Sequence, residues 1–267
     1  MKKAPLYLAV TLAVAGWIVP PVVAYAAPDR LAEAVTLQKA RNWSGAEKAL
    51  RKAVEEEPGA ASNVALGRFL ILVGRPAEAL PLFRKALEAD AALPDALAGE
   101  AEALGDLGKY SQAMANCEKA IDRFDGDKKV SRKQLARFYL ILAGAQGQAA
   151  QKEGILAMIK YAFSVKKNID KALDLDPAYA RAVYGSGVYY LEAPSVVGGD
   201  AGKGLALLEK AHKLDPDDYG IHSAWIGALA DGGRKDDARR EADRYRQAFS
   251  GVPAAGREAE VWAAKIK

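Results

Sequence analysis

One seven-residue tag keeps returning along this chain. It reads "KAVEEEP" up to Pro58, "KALDLDP" up to Pro177 and "KAHKLDP" up to Pro216. Degenerate copies, "KALEADA" from Lys85 and "KAIDRFD" from Lys119, lie between them. The tag alanines are Ala53, Ala86, Ala120, Ala172 and Ala211, at spacings of 33, 34, 52 and 39 residues. Two spacings are one period, and two are that period plus an insertion. A unit this short cannot bury an apolar face alone, so like units must stack. Where the tag closes on proline, that residue disfavours helix in the residue before it and marks the end of the unit. Alanine dominates and β-branched and aromatic residues are sparse, so the units are helical.

The positions around the tags sharpen this. The second unit carries Leu66, Gly67, Leu70, Gly74, Ala79, Phe83 and Ala86, and the third Ala101, Leu104, Gly108, Ala113, Cys117 and Ala120. The first has Ala34, Leu37, Ala46, Leu50, Ala53 and Pro58, and the last Trp225, Leu229, Gly233, Ala238, Ala242 and Tyr245. Small residues let paired helices approach, and larger ones fill the seam to the next pair. Over about residues 30–249 the pattern resembles the tetratricopeptide repeat (TPR) family. The resemblance implies an all-α fold: a right-handed superhelical stack of about six helical hairpins, closed by a capping helix. The expected division is a leader over 1–26, a repeat domain over 27–250 and the cap over 251–267.

Two adjacent hairpins break the period. The fourth gains 18 residues and the fifth gains 5, so 131–205 is the irregular part. "VSRKQLARFYLILAGAQGQAAQ" and "ILAMIKYAFSVKKNIDKALDLD" read as two long helices, with Ser131 as N-cap and Gly154 at the turn. This hairpin should project. "EAPSVVGGD" reads as an enlarged turn: Pro194 stops one helix, Gly198 and Gly199 permit positive φ, and Asp200 caps the next. With both extensions at one end of the stack, the tip around Ile155, Leu156, Met158, Ile159 and Phe163 would meet Val196 and Val197. They either pack on one another or form the mouth of a cavity.

The first residues have their own character. Lys2 and Lys3 precede an uncharged apolar run from Ala4 to Val23, and Ala24-Tyr25-Ala26 offers a small-residue cleavage site. This reads as a secretory signal peptide cut after Ala26, which places the mature chain in the periplasm. The alternative is an inner-membrane anchor over 4–23. Losing the leader takes two lysines and no acids, so the net charge falls from +4 to +2. No strong basic face remains for nucleic acid. The lone Cys117 allows no internal disulfide and reads as a small buried residue.

Repeat phasing turns one set of side chains towards the concave face: Arg68, Ile71, Leu72, Leu140, Gly144, Arg181, Tyr184, Val188 and Leu191, with Pro194 and Val197 at the enlarged turn. They read as a ligand or partner groove, apolar or small in the middle and charged at the flanks. Arg68 and Arg181 alone do not make a carboxylate clamp. No catalytic, cofactor or metal residues are expected. HExxH, nucleophile-elbow and phosphate-loop motifs are absent, and of the two histidines, His212 falls at a helix end where a surface role is the default.

The segment "YYLEAPSVVGGDAGKGLALLEKAHKLDP" also resembles the T-component family that accompanies TRAP-type transporters. That resemblance implies a helical, envelope-located protein assisting passage of organic or hydrophobic solutes. Two functions follow. One is a non-catalytic periplasmic scaffold that binds a protein partner. The other is a transport accessory or carrier with a hydrophobic, lipid-like ligand near repeats 4 and 5. Association with the envelope membrane stays open in both.

Overall fold

The computed structural model describes residues 29–266. The leader, the cleavage site and the alternative anchor over 4–23 lie outside them. The described residues form thirteen α-helices, and no strand occurs among them. Twelve pair into six hairpins: α1 (Arg30–Lys39) with α2 (Trp43–Glu56), α3 (Ala60–Leu72) with α4 (Pro76–Ala89), and α5 (Pro94–Asp106) with α6 (Tyr110–Phe124). The later three are α7 (Arg132–Glu153) with α8 (Ile155–Leu175), α9 (Ala180–Glu192) with α10 (Ala201–Leu214), and α11 (Tyr219–Asp231) with α12 (Lys235–Ala248). The cap is α13 (Pro253–Ala263). None of these helices is long and apolar enough to cross a membrane.

Local chemistry sets the boundaries. Asp29, Asn42, Ser131, Asp200 and Asp218 each accept backbone N–H bonds from the first turn of the helix that follows. Ser131 and Gln134 complete a reciprocal capping box at the start of α7. Every hairpin turn holds one residue at left-handed φ. Five are glycines, but the first is Arg41, at φ 58°. A side chain in that region is strained and persists only where its surroundings hold it.

The surroundings of Arg41 are the far end of the stack. Its Nη2 donates to Asp217 Oδ1 at 3.0 Å, and its guanidinium lies 5.9 Å from the Phe249 ring. Next to it, Trp43 presses on the backbone at Gly251, where a Cβ would come within 2.9 Å of Trp43 Cδ1. The curved stack therefore meets itself, first hairpin against last. One apolar core contains residues of α1–α5 and of α11–α13 together.

Within the regular hairpins, packing is large against small. Phe83 of α4 is fully buried with its ring against Gly67 of α3 and Gly99 of α5. Cys117 packs with Ala98, Ala101 and Phe138, and burial pushes its thiol up to about 12. At the C-terminal end, Trp262 of α13 sits edge-on to Tyr245, and its indole N–H donates to Ser223 Oγ at 3.2 Å.

The irregular segment behaves in a more particular way than its spacing implies. α7 and α8 have 22 and 21 residues, against 10 to 15 in the regular hairpins, so they project by roughly 10 Å. The enlarged turn folds back on them. Val197 joins Ala162, Val165 and Tyr189 in one apolar cluster, and Gln151 donates to Glu192 at 2.6 Å. Tyr189 donates its hydroxyl to Val197 O, and Asp200 N bonds to Tyr190 O. These bonds pin the turn. Val196, however, is 80 % exposed and does not meet the tip, and Leu156, Ile159 and Phe163 are also left uncovered. Gly198 takes a left-handed φ, but Gly199 does not. Gly199 serves close approach instead, because a Cβ there would sit 1.8 Å from Ala193 O.

Candidate functional site

The first helices of the hairpins line the concave face, which holds an open groove of about 1300 Å³. Repeat stacking fixes which residues reach it: on each A-helix, those that recur about one helical turn apart. On α9 these are Arg181, Tyr184, Val188 and Glu192, all on the groove wall. Arg68, Ile71, Leu72, Leu140, Gly144 and Pro194 line it as well.

Leu191 and Val197 do not. Leu191 lies one residue out of phase with the inward row and packs towards α10, where a Cβ on Gly204 would come within 2.6 Å of its Cγ. Val197 is turned into the cluster beneath the enlarged turn. Glu192 takes the place that sequence phasing gave to Leu191.

The centre of the groove is charged, contrary to the expectation of an apolar middle with charged flanks. Glu102 of α5 accepts from Arg137 of α7 through Oε2 at 2.6 Å and from Arg181 of α9 through Oε1 at 3.2 Å. Arg181 also donates from Nε to Asp218 Oδ2 at 2.7 Å, and Asp218 caps α11 through its other oxygen. One chain of charge-assisted bonds thus ties together four successive A-helices. Burial works to raise the Glu102 pKa, but the charges of Arg137 and Arg181 outweigh it and hold the carboxyl below its ordinary range.

The apolar part lies further along, towards the hairpin turns of repeats 4 and 5. Leu140, Met158, Ala162, Val165 and Val188 form it. Tyr184 stands between the two regions, and desolvation pushes its hydroxyl up to about 12. Over the whole lining, Arg68, Lys133, Arg137 and Arg181 face twice as many carboxylates. The groove is therefore net acidic. Neither histidine nor the cysteine lines it.

Sequence phasing gave no role to Glu102, Arg137 or Asp218, and it read Met158 as part of the projecting tip. The one available signal was the recurrence of an ionisable residue in the inward rows of α5, α7 and α9.

His212 departs from its expected surface role. Its ring lies 4.3 Å from that of His222 and 4.6 Å from that of Trp225, with which it stacks.

Residues 31–94 match the tetratricopeptide repeat family. No curated protein matches the chain. Among solved structures, a thermophilic TPR protein of Thermus thermophilus is similar with a TM-score of 0.61 and 24% identity. That likeness covers 78% of this chain and 99% of the other. The pilF protein of Pseudomonas aeruginosa is similar at 16% identity and a TM-score of 0.49, over 88% of this chain and 96% of its own. The Thermus likeness shows that the fold is a TPR-like helical stack.

Proposed function

We propose that this chain is a non-catalytic scaffold whose groove holds a segment of a partner protein. The observation that carries the reading is the groove lining: an apolar floor beside an excess of carboxylates. TPR stacks generally mediate protein–protein contacts, and their concave face is the extended binding surface. At about 1300 Å³ the groove exceeds the roughly 300–1000 Å³ of ordinary small-molecule pockets. A peptide fills such a space better than a metabolite does. The acidic excess selects a segment whose apolar side chains are flanked by lysine or arginine, and it repels a partner's terminal carboxylate.

The test is a peptide-display selection against the full chain. Selected peptides should share basic residues around an apolar core. Val188→Glu should weaken their binding by at least about tenfold, the scale of an interface anchor, with an unchanged melting temperature. Peptides without that consensus, or binding indifferent to the Val188 change, would sink the reading. The apolar end of the groove favours a second reading, a carrier for a lipid-like molecule serving transport. A stoichiometric lipid in an organic extract of the purified protein would support it.

The periplasmic location rests on residues 1–26. A mature chain beginning at Ala27 is expected in the periplasmic fraction, by intact mass. An uncut chain in the membrane fraction would favour the anchor, and one in the cytosol would overturn both.

A further inference from the structure

Outside the groove, three helices of the last two hairpins bring together the only two histidines of the chain and a glutamate. His212 comes from the last turn of α10, His222 from the first turn of α11 and Glu241 from the middle of α12. One nitrogen of each imidazole and one carboxylate oxygen lie within 4.8 Å of one another. His222 is only 4 % exposed, yet neither of its ring nitrogens has a hydrogen-bond partner. His212 Nδ1 and Trp225 Nε1 are buried and unpartnered in the same place. Buried polar atoms are normally satisfied, so a knot of orphans needs a cause.

Aromatic packing explains part of it. His212 stacks on Trp225, and His222 meets Tyr245 edge-on. Packing alone does not explain the glutamate. Glu241 is buried, with Oε2 3.4 Å from His222 Nε2. Its other oxygen, Oε1, is held by Arg244. Such a partner fixes the orientation of a ligating carboxylate.

We propose that His212, His222 and Glu241 form a binding site for a divalent transition-metal ion of the zinc class. Two imidazoles and one carboxylate are a donor set that zinc takes, with a fourth position left for water or another small ligand. A zinc about 2.1 Å from each donor needs donors roughly 3.4 Å apart, so the three must close by little more than 1 Å. A neutral imidazole offers a ring lone pair to a metal. His212 is half-buried and gives the way in. The bound ion would join α10, α11 and α12, beside the seam where the two ends of the stack meet.

The experiment is a zinc titration of the full chain, purified without a histidine tag, by calorimetry and thermal unfolding. One equivalent should bind with micromolar or tighter affinity and raise the melting temperature. Cobalt in its place should give the visible absorption of a tetrahedral site. Losing a mere outer-shell partner already costs 10–100-fold in metal affinity, so His212→Gln and Glu241→Gln should each weaken zinc by at least about 100-fold. Either variant suffices if its metal-free melting temperature stays near that of the wild type. The absence of saturable zinc binding, or wild-type affinity in both variants, would overturn the proposal.

Discussion

Phe83→Ala is expected to destabilise the chain by about 3–5 kcal/mol, the usual cost of emptying an aromatic site in a core. Phe83 is 0 % exposed and is the large partner in a large-against-small contact across three helices. A Cβ added to Gly99 would lie 2.2 Å from its Cε1, and one added to Gly67 2.8 Å from its Cζ. The same contact predicts a change of sign. Alone, Gly99→Ala forces the ring aside, and overpacking of this kind costs about 1–3 kcal/mol. That outweighs the roughly 1 kcal/mol gained by replacing a mid-helix glycine with alanine. In the Phe83→Ala background the clash is gone, so Gly99→Ala should become stabilising by up to about 1 kcal/mol. Chemical denaturation of the four proteins gives the cycle. Equal destabilisation by Gly99→Ala in both backgrounds would show that ring and glycine are not coupled.

That contact also shows why so much of the fold was legible. Phe83 and Gly67 occupy signature positions of the repeat, the tag alanines return once per unit, and each needs only its sequence neighbours to pack. Ser131, Gly154 and Asp200 act within a turn or two of themselves, so their capping and turning roles could be read directly. The enlarged turn was read less well. Gly199 is required by its approach to Ala193 O, a contact that no local rule contains. Leu191 was lost to a one-residue error of phase, about 100° around a helix.

The centre of the groove was the least legible part. Arg181 reaches Glu102 across 79 residues, and Arg41 reaches Asp217 across 176. Such pairs depend on the curvature of the whole stack, which the period of one unit does not encode. The histidines are ten residues apart in the chain. Only the fold of α10 against α11 brings their rings within 4.3 Å and adds Glu241 from a third helix.

Glu102→Ala is the second large expected effect, a loss of about 2–4 kcal/mol. Removing one member of a buried ion pair costs about 3–5 kcal/mol, because the partner charge stays behind, and water reaching the groove trims that figure. Glu102 is 19% exposed and Arg137 16%. After the change, Arg137 keeps only Asp95 at 3.5 Å and Arg181 only Asp218. Arg84→Ala provides the contrast. Arg84 is 55% exposed, and the loss of its bond to Glu100 should cost no more than about 0.5 kcal/mol. The pH dependence gives a second reading of the same bond. The folded Glu102 holds a pKa below its ordinary value of 4.5, so the unfolded chain takes up a proton first as acid is added. Its stabilisation is therefore complete above about pH 4.5 and is lost as pH falls through the depressed value. As pH falls below about 4.5 the wild type should lose more stability than Glu102→Gln, in which that titration is absent. Parallel pH profiles, or an alanine variant as stable as the wild type, would mean that the network does not hold α5, α7 and α9 in place. If it does hold them, the groove has its width from these bonds, and Glu102→Gln should weaken a bound peptide even where Glu102 does not touch it.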